Sequence, residues 1–135
     1  MTELRTIHGW NNTQSITKGK NIKVPKLHII LDTTSTPNLS YLELARKCLS
    51  GQAPLLQYRN KSQHDMTLIA AELKEIAQLC KDYTATCIIN DHPHLARNIL
   101  GVGAHVGQAD MPAKVARTKL GANRLLGYTI NTRKQ

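Results

Sequence analysis

The sequence predicts an α/β fold, a parallel sheet covered by helices, and three observations carry that prediction. Short, nearly all-apolar runs alternate with longer stretches whose apolar residues recur at helical spacing. The connections between them are short. The apolar runs show little polar alternation, as expected of strands buried on both faces. At 135 residues the chain has the length of one modest domain, and a hydrophobic content of 41% is enough to build a core.

Residues 1–25 are polar, rich in Asn, Thr and Lys, and hold no sustained period, so they read as a tail ahead of one domain over 26–135. "KLHIILD" (26–32) is the first strand and closes on Asp32. "TTSTPN" reads as loop. "LSYLELARKCLSG" (39–51) is a helix with Gly51 as its stop. "APLLQYRNK" (53–61) is the second strand. "SQHDMTLIAAELKEIAQLCKDY" (62–83) is the longest helix, with Leu68, Ile69, Leu73, Ile76, Leu79 and Cys80 at helical spacing. "TATCIIND" (84–91) is the third strand and "PHLARNILG" (93–101) a short helix. "GAHVGQAD" (103–110) is the fourth strand with its exit loop, "MPAKVARTKLGA" (111–122) a helix, and "RLLGYT" (124–129) the fifth strand.

Composition narrows the function classes. The net charge of +9 is concentrated at the ends. Residues 1–26 hold Arg5, Lys18, Lys20, Lys23 and Lys26 against Glu3, and residues 113–135 hold Lys114, Arg117, Lys119, Arg124, Arg133 and Lys134 against no acid. Aromatic content is 4% with no Phe, so aromatics are too sparse among these charges to form a stacking platform, and the charges read as solvated surface, not a nucleic-acid interface. No apolar run approaches the roughly 20 residues that cross a bilayer, and no secretory signal opens the chain. Membrane and nucleic acid are thereby set aside as partners, and a cytoplasmic protein is expected. Cys48, Cys80 and Cys87 lack metal-type spacing and read as reduced core thiols.

In parallel α/β folds ligands bind at the carboxyl ends of the strands. The second strand ends in Gln57, Tyr58, Arg59, Asn60 and Lys61. Side chains alternate faces, so Gln57, Arg59 and Lys61 point the same way. An amide and two cations there suit a phosphorylated ligand, because Arg grips phosphate oxygens bidentately and Lys adds a mobile charge. Solvated loop cations are the plainer reading. The third strand ends in Asn90 and Asp91, and the fourth in "GQAD", closing on Asp110. Two carboxylates on one rim suit Mg2+ bridging to substrate phosphates, the signature of diphosphate chemistry. Each Asp alone also reads as a loop or N-cap residue. His92 and His94 read as loop and helix-start residues, since His-Pro-His is a poor metal spacing. His105 is either a packed polar residue or a contact near the site.

"LLQYRNKS", "CIINDHPHLA", "GAHVGQADMPAKVAR" and "LLGYT" resemble, in order and approximate spacing, the thiamine phosphate synthase (thiamine-phosphate pyrophosphorylase) family over about residues 26 to 132. The family pattern is Q-x-R-x-K, I-N-D, G-x-H-x-G-Q-x-D-x-P, then G-x-S or G-x-T. The resemblance implies a (β/α)8 barrel and a transferase of thiamine biosynthesis. That reaction joins 4-amino-2-methyl-5-(diphosphooxymethyl)pyrimidine to thiazole phosphate, giving thiamine phosphate and diphosphate by a Mg2+-dependent dissociative route. Carried over by motif, Gln57, Tyr58, Arg59, Asn60, Lys61, Asn90 and Thr129 would bind the pyrimidine diphosphate. Arg59 and Lys61 would act in catalysis, and Asp91 and Asp110 would ligate Mg2+. The related thiazole tautomerases would place their catalytic His at a position that is Asn131 here. A tautomerase-like regulatory homologue and a basic non-catalytic binding module are the alternatives.

The resemblance covers about five β/α units, whereas a closed barrel has eight strands and typically about 250 residues. An incomplete barrel is therefore expected. The thiazole phosphate site and a further Lys would fall in the part not covered. On this reading the chain alone is expected to be inactive, with a C-terminal half or an oligomeric partner completing it.

Overall fold

In a computed structural model, residues 23–131 are described. The expected tail over 1–25 lies outside them except for 23–25, which carry no helix or strand, and Arg5, Lys18, Lys20, Arg133 and Lys134 also lie outside. The elements alternate strictly: β1 (Ile29–Leu31), α1 (Tyr41–Ser50), β2 (Leu55–Tyr58), α2 (Met66–Asp82), β3 (Thr86–Asn90), α3 (Pro93–Arg97), β4 (Gly103–Val106), α4 (Ala113–Leu120) and β5 (Leu126–Tyr128). The strands form one five-stranded sheet in the order β1-β2-β3-β4-β5, every pair parallel. Spatial order equal to chain order is singly wound. With right-handed crossovers it puts every helix on one face and leaves the other as an inner surface. That is the arrangement of five consecutive units of a (β/α)8 barrel, the α/β class expected from the sequence.

The core lies between sheet and helices. Leu31, Leu56, Tyr58, Cys87, Ile89 and Ala104 face outward from the strands onto Leu44, Ala45, Leu49, Ile69, Leu73, Ile76, Cys80 and Leu120 of the helices. Burial of this kind contributes roughly 25 cal/mol per Å² of apolar area. Leu68, expected on the apolar stripe of α2, is instead 55% exposed. One residue before Ile69 on a helix, it falls off the buried stripe of Ile69, Leu73, Ile76 and Cys80. Among the described residues no helix is long and apolar enough to cross a membrane.

Most elements are shorter than their sequence patterns because side chains take over the backbone at the ends. α1 starts at Tyr41, where Ser40 and Glu43 form a capping box: the Ser40 hydroxyl accepts from the Glu43 amide, and Glu43 accepts from the Ser40 amide at 2.8 Å. α2 starts at Met66, four residues later than expected. Asn60 Oδ1 accepts from the Gln63 amide (3.1 Å), and Gln63 Oε1 accepts from the amides of His64 and Asp65 (3.0 and 2.9 Å), which holds the approach as loop. Asp65 then caps the helix through the Thr67 amide at 2.8 Å. Gly51 does follow α1, but with φ −82°. The left-handed position is the next residue, Gln52, at φ 66°.

The basic residues near the C-terminal end need a correction. Arg124 donates from Nη1 to the carbonyl oxygens of Ala96 (3.3 Å), Ile99 and Val102 (3.0 Å), and from Nη2 to that of Arg97 (3.3 Å). Arg117 donates to the carbonyls of Gly121 (3.1 Å) and Arg124 (2.6 Å). These two cations brace backbone carbonyls at the end of α3, in the chain that follows it and after α4, and are not solvated surface. α3 consists of five residues, and Arg124 holds the irregular chain that follows it.

Candidate functional site

The carboxyl ends of the strands build a polar rim. β2 passes Gln57 to the inner face, where it is 2% exposed and its amide nitrogen lies 3.0 Å from His28 Nε2. Arg59, two residues on, forms an ion pair with Asp32 at the end of β1. Lys61, two further on, forms an ion pair with Asp91 at the end of β3. Alternation along one strand end thus sends three polar groups to one side, each meeting a neighbouring strand.

Tyr58 and Asn60 go the other way, which corrects their expected place at the substrate. The Tyr58 ring is buried edge-to-face against Tyr41 with centroids 4.9 Å apart, and its hydroxyl donates to Glu72 of α2 at 2.6 Å. Asn60 lies beside them, its amide nitrogen 3.3 Å from the Tyr58 hydroxyl and 3.4 Å from Glu72. Both belong to the helix layer and brace the loop that carries Lys61. Burial, then the hydrogen bond to Glu72, pushes the Tyr58 phenol far above its ordinary range.

At the end of β3, Asp91 has φ 70°. That left-handed conformation is tolerated by Asp better than by most residues, and it turns the chain sharply off the strand. The Asp91 amide donates to the His105 carbonyl at 2.8 Å, which anchors the turn to β4. Burial would raise the Asp91 carboxyl, but the hydrogen bond from Lys61, the contact with the Asp110 side chain and the positive charge of Lys61 outweigh it and hold the group below its ordinary value. Strain at a strand end joined to a charge cluster is a mark of functional sites.

Asp110 reaches the same place from the loop after β4. Its Oδ2 accepts from the Gly107 amide at 2.8 Å, and its carboxyl meets that of Asp91. Gly107 is required for this: a Cβ there would stand 2.9 Å from Asp110 Oδ2. Neither Asp caps a helix. His92 occupies the N-cap of α3 and Pro112 that of α4, both without a side-chain cap bond.

On β4, His105 lies opposite Asn90 and opposite Gly127 in register. Its Nε2 is 3.3 Å from Thr129 Oγ1. Its ring sits edge-on to His28, centroids 6.4 Å apart, and burial keeps it below its ordinary value against the raising pull of Asp91 and Asp110. Gly127 makes room, because a Cβ there would be 2.6 Å from His105 Cδ2. The ring is thus a packed residue that also contacts the rim.

Two residues of this cluster escaped the sequence reading. Asp32 and His28 share the parity of Ile30 on the first strand, as Arg59 and Gln57 do on the second. Applying alternation to "KLHIILD" would have put both on the ligand side. Burial would raise the Asp32 carboxyl, but hydrogen bonds from the Thr34 hydroxyl and amide and the Arg59 guanidinium hold it below its ordinary value.

Mg2+ fits this donor set. It takes oxygen ligands octahedrally and commonly uses one or two carboxylates, with phosphates and water filling the rest. Asp91 and Asp110 converge, and two touching carboxyls favour a cation between them. No cluster of three or more His, Cys, Asp or Glu suited to a metal occurs among the described residues. The pair therefore suits an ion shared with a phosphate ligand, not a closed protein cage.

Comparison with known proteins agrees with the motif reading. The family model described as thiamine monophosphate synthase matches residues 27–135. A thiamine-phosphate synthase of Alcanivorax borkumensis is 42% identical over 107 residues, covering 78% of this chain and 48% of the relative. One from Prochlorococcus marinus is 36% identical over 113 residues, covering 82% of this chain and 32% of the relative. The solved structure of a thiamine phosphate pyrophosphorylase from Pyrococcus furiosus superposes with a TM-score of 0.67 at 26% identity, over 76% of this chain and 48% of that one. The chain thus spans about half or less of the length of these relatives. With nearly all of the described region matched by one family, and the fold shared with a solved relative, this chain belongs to the thiamine monophosphate synthase family.

Proposed function

We propose that this chain carries the pyrimidine diphosphate half of a thiamine phosphate synthase site, a Mg2+-dependent transferase centre of thiamine biosynthesis. The observation that carries the proposal is the convergence of Lys61, Asp91 and Asp110 from three consecutive strand ends. In the reaction the bond from the pyrimidine methylene to diphosphate oxygen breaks, and its electron pair leaves with the diphosphate. The thiazole nitrogen then supplies the pair for the new C–N bond. A barrier of this kind falls when charge on the leaving group is stabilised.

Arg59 and Lys61 supply that stabilisation, held ready by their pairs with Asp32 and Asp91. An arriving diphosphate takes Lys61 and frees Asp91. Asp91 and Asp110 would hold Mg2+, which supplies further positive charge to the departing oxygens. Gln57, Asn90 and Thr129 face or border the inner surface and would contact the organic part of the substrate. Tyr58 and Asn60 act through the loop they brace. We place the chemistry in the cytoplasm, and the substrates are small molecules.

Isothermal titration of the full chain with the pyrimidine diphosphate tests this. Binding is expected to require Mg2+ and to weaken at least tenfold in Asp110→Asn, a substitution that keeps an oxygen for the Gly107 amide. Mg2+-independent binding, or unchanged affinity in that variant, would overturn the proposal. With both substrates and Mg2+ the chain alone is expected to form no thiamine phosphate, and robust turnover would overturn the half-site reading.

A further inference from the structure

Asp91 already holds a cation of the protein's own, because Lys61 forms an ion pair with its Oδ2. The two partners differ in freedom. Asp91 sits in a left-handed turn at φ 70°, its amide donates to the His105 carbonyl at 2.8 Å, and its side chain is 14% exposed. Lys61 lies between β2 and α2 in a stretch without helix or strand, and its side chain is 48% exposed. A compact charge on a flexible four-carbon stem moves readily, so Lys61 is the partner that can leave. The other carboxylate of the pair is also engaged, since Asp110 Oδ2 accepts from the Gly107 amide at 2.8 Å. No group of three or more His, Cys, Asp or Glu suited to a metal occurs among the described residues. A divalent cation arriving alone therefore meets one carboxylate oxygen held by an ammonium and another held by an amide.

We propose that Lys61 guards Asp91 against a bare divalent cation and yields to a diphosphate, so that the cation enters and leaves this site as its diphosphate complex and is not a resident of the protein. The inference rests on the diphosphate site proposed above and adds to it the order in which that site fills.

The physical argument is competition for one oxygen. Mg2+ dehydrates reluctantly and does not favour a site with few free protein ligands. To gain Asp91 it has to break the ion pair, and the freed ammonium is then a like charge beside it. A diphosphate changes both conditions. Its oxygens accept the Lys61 ammonium, and others of its oxygens enter the shell of the cation. Each ligand thereby improves the site for the other, and linkage makes the gain equal in both directions. Diphosphate is the leaving part of the proposed substrate and also a product. Lys61 returns to Asp91 when that product departs, and the cation goes with it.

Equilibrium dialysis of the full chain against Mn2+, which like Mg2+ favours oxygen ligands, counts the metal that the protein retains. The wild-type chain is expected to retain Mn2+ at least about fivefold more tightly with inorganic diphosphate than without it, at the lower end of ordinary coupling between sites. Lys61→Met keeps the length of the side chain and removes its charge. It is expected to retain Mn2+ alone at least about fivefold more tightly than wild type, and to gain less than about twofold from diphosphate. Arg59→Met removes an equal charge from the same strand end, but one paired with Asp32, and is expected to leave the retention of Mn2+ alone within about twofold of wild type. Equal tightening in both variants would mean a general field of the rim and would overturn the proposal. So would a wild-type chain that holds Mn2+ alone as firmly as with diphosphate. A chain that retains no Mn2+ under any of these conditions, wild type and variants alike, would overturn the diphosphate site itself and the guard with it.

Discussion

Gly103→Ala is expected to damage the sheet at the strand that carries His105. A Cβ at this position would lie 2.4 Å from the backbone oxygen of Leu125 and 3.0 Å from side-chain carbons of Ile88 and Leu125. A carbon–oxygen contact that short has to open by nearly an ångström, and the obstacle is backbone, so no rotamer change relieves it. The same Leu125 oxygen accepts the Ala104 amide at 2.9 Å. Moving the strands apart therefore stretches a bond of the β4–β5 ladder as it relieves the clash. Overpacking in a close-packed interior costs about 1–3 kcal/mol, and a weakened ladder bond adds about 1 kcal/mol. A loss of about 2–4 kcal/mol follows. With a urea slope of about 2 kcal/mol/M, the midpoint falls by about 1–2 M. Urea unfolding followed by circular dichroism gives the midpoint, and amide exchange at Ala104 locates the damage. A midpoint within about 0.2 M of the parent, with Ala104 still protected, would refute the close approach of β4 and β5.

Arg124→Met is expected to cost about 2–3 kcal/mol, since several carbonyls after α3 lose a charged donor. Amide exchange should quicken at Ile99 and Val102, and exposed Lys119→Met should change little in the same assay. Acid titration carries a signature of His28, whose imidazole is lowered to about 4 by burial first and His105 second. The unfolded chain takes up that proton near pH 6.5 and the folded chain only near 4. Stability is therefore full above about 6.5, declines as pH falls between those values, and stops declining on this account below 4. After discounting for partial solvent exposure, the loss is about 2 kcal/mol. The His28→Gln chain should lack this slope, and an unaltered slope in urea midpoints from pH 6.5 to 4 would contradict the assignment.

The architecture was legible in the sequence because its periods are strong. Alternating apolar strands and amphipathic helices gave the element order, and the run through Ile69, Leu73, Ile76 and Cys80 found the buried face of α2. Element ends were less legible, since they are fixed by individual hydrogen bonds such as those of Asn60, Gln63 and Asp110. Strand alternation alone separates Gln57, Arg59 and Lys61 from Tyr58 and Asn60. Motif resemblance had grouped all five at the substrate, and the parity argument is the sounder guide there. Asp32 as the partner of Arg59 could be placed on a face but not paired, because pairing depends on register across 27 residues. Arg124 illustrates a different limit: composition counts charges, and only tertiary structure shows that this one is spent on carbonyls.

The rim also has an order that a closed ring of ligands would hide. Asp32 touches Arg59, Lys61 touches Asp91, Asp91 touches Asp110 and His105, and His105 touches Thr129. Almost every link joins one strand end to the next, and the sheet that bears them runs in chain order. The site is thus assembled by neighbours. A defect at one bead should be felt strongly by the adjacent one and fade along the string, as coupling between contacting groups does. Each further β/α unit adds one strand end to the string, in the order of the sheet.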